Sequence, residues 1–245
     1  MTPARADRRT GRGATSAERG ETEAGRRNLL ATTARLGAVS AEALAALERT
    51  SVASARGRLA AAERAGLTVS WRPVRGVPTL HTVTSRGVRV AGTRGLSPAR
   101  VSAAGARHAA EAATVAAGLA GAFPDREVLG EPGVRAWERE RGRPLAALAE
   151  AAHRPDLLLV PGGSYGGRPP ELPVAIEVEL TVKSPARLAA ICRAWARSRE
   201  VCGVIYLAAD PVRAPLARAI AEAGAADRIA ALALDAFGSA IAGAP

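Results

Sequence analysis

The stretch LPVAIEVELTVK, residues 172–183, constrains the fold more than any other. Its apolar residues alternate with others at a period of two, the signature of a β-strand whose faces differ. Ile176, Val178 and Leu180 share one face. Glu177 and Glu179 share the other with Thr181 and, if the strand runs on, Lys183. Sixteen residues before it, PDLLLV begins at Asp156 and reads as a short, fully apolar strand. The Gly/Pro-rich PGGSYGGRPPE between them suits a hairpin connection. The two strands are thus expected side by side, with Asp156 near Glu177. Downstream, SPARLAAICRAWARSRE reads as a helix capped by Ser184 with Pro185 at its first position. VCGVIYLA, PVRAPLARAIAEAG and RIAALAL follow as strand, helix and strand. The order ββαβαβ predicts an α/β unit, a mixed sheet flanked by helices.

Carboxylates facing one another across two strands suit a hard cation. Mg²⁺ takes one or two carboxylates and completes its shell with water and phosphate oxygens. Asp156 and Glu177 are the candidate ligands, with Glu179 as an extra ligand or a replacement group. Lys183 is a candidate for stabilising charge that develops on a phosphoryl group. It is the only lysine among 34 basic residues, and a compact ammonium is not interchangeable with guanidinium. His153 is expected beside the site rather than in it, and Glu138 is a candidate helix-borne carboxylate. Trp137 and Trp195 are expected in the core. The alternative is that Asp156 only begins a strand while Glu177 and Glu179 lie on a solvated face, partnered by arginines.

The charge has its own address. The formal net charge is +11 over 245 residues, and residues 49–107 hold eleven Arg against one acid, Glu63. Such a balance suits a polyanion. In the same region RRNLLATTARLGAV, SAEALAAL and SVASARGRLAAAERAG read as three helices, the second and third capped by Ser40 and by Thr50 or Ser51. Val52, Ala55, Leu59 and Ala62 form the inner face of the third, leaving Ser54, Arg56 and Arg58 outward. LTVSWRPV and PTLHTVTSRG alternate as a hairpin turning at Arg75-Gly76. Three helices and a basic hairpin predict a winged helix-turn-helix that binds double-stranded DNA. Ser54, Arg56 and Arg58 are the candidate groove contacts, and Arg72 and Arg75 the hairpin contacts.

The organisation expected is a disordered basic arm over 1–26, the winged helix over 27–96 and a linking helix over 97–123. The α/β unit follows over 124–237, then a tail over 238–245. Cys192 and Cys202 lack metal-ligand spacing and are expected as buried thiols of a reducing compartment. No apolar run approaches membrane length, so a cytoplasmic protein is expected, with no membrane partner. A homodimer is left open.

RPDLLLV followed by AIEVELTVK resembles the PD-(D/E)XK nuclease-like fold. Joined to an N-terminal winged helix, it looks like the replication-relaxation family over residues 27–235. That resemblance implies an actinobacterial DNA-binding protein tied to plasmid or mobile-element replication or to DNA topology. It implies catalytic roles for Asp156, Glu177 and Lys183, with Mg²⁺ on Asp156 and Glu177. The nuclease pattern reads acid-x-Lys, whereas here Glu179 holds the third position and Lys183 lies four residues further on. The alternatives are an active Mg²⁺-dependent endonuclease and a winged-helix transcription regulator.

Overall fold

The computed structural model describes residues 16–72, 74–148, 152–161 and 172–237. The chain opens with α1 (Ser16–Leu36), α2 (Ala41–Leu47) and α3 (Val52–Arg64). Leu29, Leu30 and Ala34 of α1 pack on Leu44 of α2 and on Ala55, Leu59 and Ala62 of α3. The Ser40 and Ser51 side chains accept from Ala43 N (3.1 Å) and Ser54 N (3.1 Å), capping α2 and α3. After α3, the antiparallel pair β1 (Thr68–Trp71) and β2 (Leu80–Val83) forms the expected hairpin.

The second run of that hairpin is shorter than expected. Thr84 caps α4 (Ser85–Ala91) through Gly87 N at 3.0 Å, so TSRG belongs to a helix start. The arm also differs from expectation. Helix α1 begins at Ser16, so residues 16–26 are helical, while residues 1–15 lie outside the described residues.

Residues 97–123 do not form one linking helix. Helix α5 runs Ala106–Ala122 from an N-cap at Gly105; Pro98 and Gly105 suit the irregular stretch before it. Nor does α5 merely link. Its Ala113 and Ala117 pack on Ala43 of α2. Its Val115 and Leu119 pack on a sheet. The sheet belongs to a second unit that continues with β3 (Arg126–Gly130), α6 (Glu131–Arg141) and the small pair β4 (Ala146–Ala147) and β5 (Ala152–His153). Then come β6 (Leu157–Pro161), β7 (Val174–Glu179), α7 (Pro185–Arg197), β8 (Gly203–Ala208), α8 (Asp210–Glu222) and β9 (Ile229–Ala233).

This second unit is α/β, with a mixed five-stranded sheet in the order β3-β6-β7-β8-β9. Strand β6 runs antiparallel to both β3 and β7, and β7, β8 and β9 are parallel. Helix α5 covers one face through Leu157, Leu159, Ile176 and Val178. Leu188, Ile191 and Trp195 of α7 and Leu216 of α8 cover the other, over Leu158, Ala175, Val204 and Tyr206. Strand β7 is therefore buried on both faces, and it ends at Glu179 rather than running on to Lys183. Most of the Gly/Pro connection after β6, and the 238–245 tail, lie outside the described residues.

The two units meet where α1 ends. Gly37, at φ 91°, turns the chain there, and a Cβ on Gly130 would lie 2.4 Å from the Leu36 carbonyl oxygen. Among the described residues no helix is long and apolar enough to cross a membrane.

Candidate functional site

Register pairs Leu157 with Ile176, so Asp156 stands opposite Glu177 one step beyond the ladder. The Asp156 carboxylate accepts from Val178 N at 2.7 Å and meets His108 Nε2 at 3.2 Å. His108 Nε2 also lies 2.9 Å from the Val178 carbonyl oxygen. A ring nitrogen aimed at a carbonyl oxygen must donate, so the proton sits on Nε2. The hydrogen bond to Asp156 raises the His108 pKa above its ordinary value, against the opposing effect of burial.

Glu177 is 4 % exposed. Its Oε1 accepts from His153 Nε2 at 2.6 Å and from Trp195 Nε1 at 3.0 Å. The two donor rings meet edge-on, their centroids 5.5 Å apart. Burial pushes the Glu177 carboxyl up; the bond from His153 works against that, and the charge of Asp156 adds to it. Glu179, also buried, pairs with the Lys183 ammonium. Burial lowers the Lys183 pKa, while the negative charges of Glu177 and Asp156 oppose that shift. Tyr206 Oη is buried, and its phenol is pushed up by burial and by the nearby Glu177 charge.

The structure thus brings Asp156, Glu177, Glu179 and Lys183 into one neighbourhood, with Lys183 arriving from the loop between β7 and α7. The acid face of β7 is not solvated: His153, Trp195 and Lys183 partner its carboxylates in place of arginines. His153 touches Glu177 directly, closer than expected. Glu138 does not join: it accepts from Leu145 N at 2.9 Å and from Arg154 Nε at 2.5 Å. Trp195 is core, as expected, and Trp137 packs at the core's edge under the Arg141 guanidinium, 3.2 Å from its ring centroid. His108 went unread because a lone histidine on an alanine-rich helix carries no pattern.

Among the described residues, no group of three or more His, Cys, Asp or Glu is gathered to hold a metal ion. The bonds above use one oxygen each of Asp156 and Glu177. Each carboxylate thus keeps one oxygen outside these bonds, which is the donor chemistry of a Mg²⁺ ion completed by water rather than of one caged by protein. Asp156 opens onto a cleft of about 560 Å³ between the two units, which His108, Arg100, Arg135 and Arg139 also line. Glu177 and Glu179 stay sealed beneath.

The basic unit sorts its arginines by partner. Arg58 pairs with the nearly buried Glu48 and donates to the Gly25 carbonyl oxygen at 2.7 Å, tying α1 to α3. Arg56 is exposed and pairs with Glu42 at 2.6 Å. Ser54 is exposed, and its backbone N–H serves the α3 cap. Arg72 and Arg75 are exposed and make no ion pair among the described residues.

One of the two thiols differs from expectation. Cys192 is buried, and its pKa is pushed up to about 11 by burial and by Glu177. Cys202 precedes β8 and is exposed. One thiol per chain is expected to react with dithionitrobenzoate in the native state, the second only after denaturation. Peptide mapping of the modified cysteine checks this; rapid labelling of Cys192 would contradict the packing around Glu177.

The chain matches no family model, no curated protein and no solved structure.

Proposed function

We propose that this chain is a cytoplasmic DNA-binding protein of the replication-relaxation type, acting in plasmid or mobile-element replication or DNA topology. Its helices and hairpin over 27–96 serve as a winged helix on duplex DNA, and its α/β unit keeps a nuclease-like arrangement with partnered carboxylates. The observation that carries this reading is the concentration of eleven Arg against one acid in residues 49–107, with Arg72 and Arg75 exposed.

The arginines do not contribute alike. The Arg56–Glu42 pair is open to water on both sides, 66 % and 53 % exposed. Such a pair is worth about 0–1 kcal/mol, so Arg56 exchanges Glu42 for a phosphate at little cost. Arg58 holds a Glu48 that is 7 % exposed and stays within the fold. Arg72→Ala is expected to weaken duplex binding in fluorescence anisotropy, with an unchanged melting temperature. Arg58→Ala is expected to lower the melting temperature. If Arg72→Ala and Arg75→Ala both bind as the wild type does, the hairpin is not the interface.

The second reading, a Mg²⁺-dependent endonuclease, is favoured by the opening of Asp156 onto the cleft and by Lys183 in the field of both acids. Bound there, the ion would polarise a phosphoryl oxygen and acidify a water. Asp156 would hold it from the cleft, Glu177 would join it once the cover of His153 and Trp195 opened, and Lys183 would give up Glu179 to face the phosphate. Metal-dependent nicking of supercoiled plasmid, lost in Asp156→Asn, would put this reading first. A transcription regulator would instead select one operator sequence and ignore Mg²⁺.

A further inference from the structure

Of the exposed large apolar side chains among the described residues, three fall within six positions of the hairpin: Val69 at 51 %, Trp71 at 37 % and Val74 at 46 %. Val69 and Trp71 share one face of β1. Thr68 and Ser70 hold the other, where Ser70 Oγ donates to Glu63 at 2.5 Å. Among the described residues neither Val69 nor Trp71 packs into an apolar cluster. Strand β1 is also the free edge of its two-stranded sheet. An indole left in water costs free energy unless something covers it. Its neighbours along the chain are cationic: Arg64, Arg72 and Arg75 are all exposed. The one acid within residues 49–107, Glu63, is held by Ser70.

A flat aromatic face among guanidinium groups suits a nucleobase better than an apolar protein partner. The ring stacks on the base while the arginines meet its phosphates. A base within a continuous duplex keeps its faces stacked on its neighbours, so the platform serves a base that has left the stack. We propose that Trp71 stacks on an unpaired base and that the chain prefers a duplex bearing a single-stranded arm over a blunt duplex. This rests on the DNA-binding reading above and adds the kind of DNA engaged.

The test uses the full chain and two fluorescein-labelled probes, a blunt duplex and the same duplex with one unpaired arm. Trp71→Ala is expected to weaken binding to the armed probe about 5- to 150-fold, the range of one base–aromatic stack. Blunt-duplex binding is expected to change less than about twofold, and Trp71→Phe should keep most of the preference. Indole emission should fall when the armed probe binds and not in Trp71→Phe, because Trp195 is buried and Trp137 is covered by Arg141. Equal losses on both probes, or none on either, overturn the proposal. So does a dimer that Trp71→Ala dissolves while armed-probe affinity holds. Failure of the wild type to bind either probe would strike the DNA-binding reading itself.

Discussion

Glu177→Ala is expected to destabilise the protein by about 3 kcal/mol or more, whereas Glu177→Gln is expected to cost less than about 1 kcal/mol. Alanine strands a buried donor, Trp195 Nε1, and a partly buried one, His153 Nε2, and leaves a void beneath α7. Glutamine keeps an oxygen in place for them and removes a charge that burial opposes. The pH dependence follows from the same burial. The folded Glu177 pKa lies above the ordinary 4.5, so the unfolded chain releases this proton first as pH rises. Its contribution is complete below 4.5 and is lost as pH climbs through the raised folded value. Glutamine does not titrate, so Glu177→Gln should gain on the wild type across that window. Urea unfolding at acid and neutral pH measures both effects. A glutamine variant as damaged as the alanine one would mean that the ionised carboxylate is itself required.

Gly130→Ala is expected to cost about 3 kcal/mol, at the upper end for overpacking. An added Cβ would lie 2.4 Å from Leu36 O and 2.8 Å from Leu36 C and Cα. All three are backbone atoms at the end of α1, so no side chain can swing aside. Relief requires α1 to lift from β3 and α6, opening the seam that sets the basic unit beside the cleft. Gly121 supplies the contrast: within α5, a Cβ there meets nothing within 4 Å. Gly121→Ala should therefore be neutral or stabilise by up to about 1 kcal/mol. Thermal melts of both variants check the pair. A Gly130→Ala melt matching the wild type would contradict the close contact.

Both effects come from features only partly legible in the sequence. The alternation of residues 172–183 marked β7, and the Gly/Pro loop marked its antiparallel neighbour, because pleat and turn chemistry are local. Local rules did not show that the acid face of β7 is buried. That depends on α7 covering the sheet and on His153, Trp195 and Lys183 arriving from three separate segments. His108 lies seventy residues from the Val178 carbonyl it touches, and no local pattern marks it. The start of α5 was misplaced because alanine, with no side chain beyond Cβ, blurs periodicity just where Pro98 and Gly105 interrupt the chain. The first turn of α4 reads as hairpin because Thr84 and Ser85 suit a strand as well as a cap. In the basic unit charge was legible and its partners were not: Arg56, Arg58 and Arg72 look alike in sequence, and only packing separates the brace from the free cation.

The most direct test of DNA binding is the salt dependence of duplex affinity, by anisotropy, for the wild type and Arg72→Ala/Arg75→Ala. Counterion release predicts that log K falls linearly with log salt, by about 0.9 per phosphate neutralised. The double variant should bind more weakly and lose about two units of slope. A slope unchanged in the double variant, or binding indifferent to salt, would contradict the assignment of the basic hairpin to DNA.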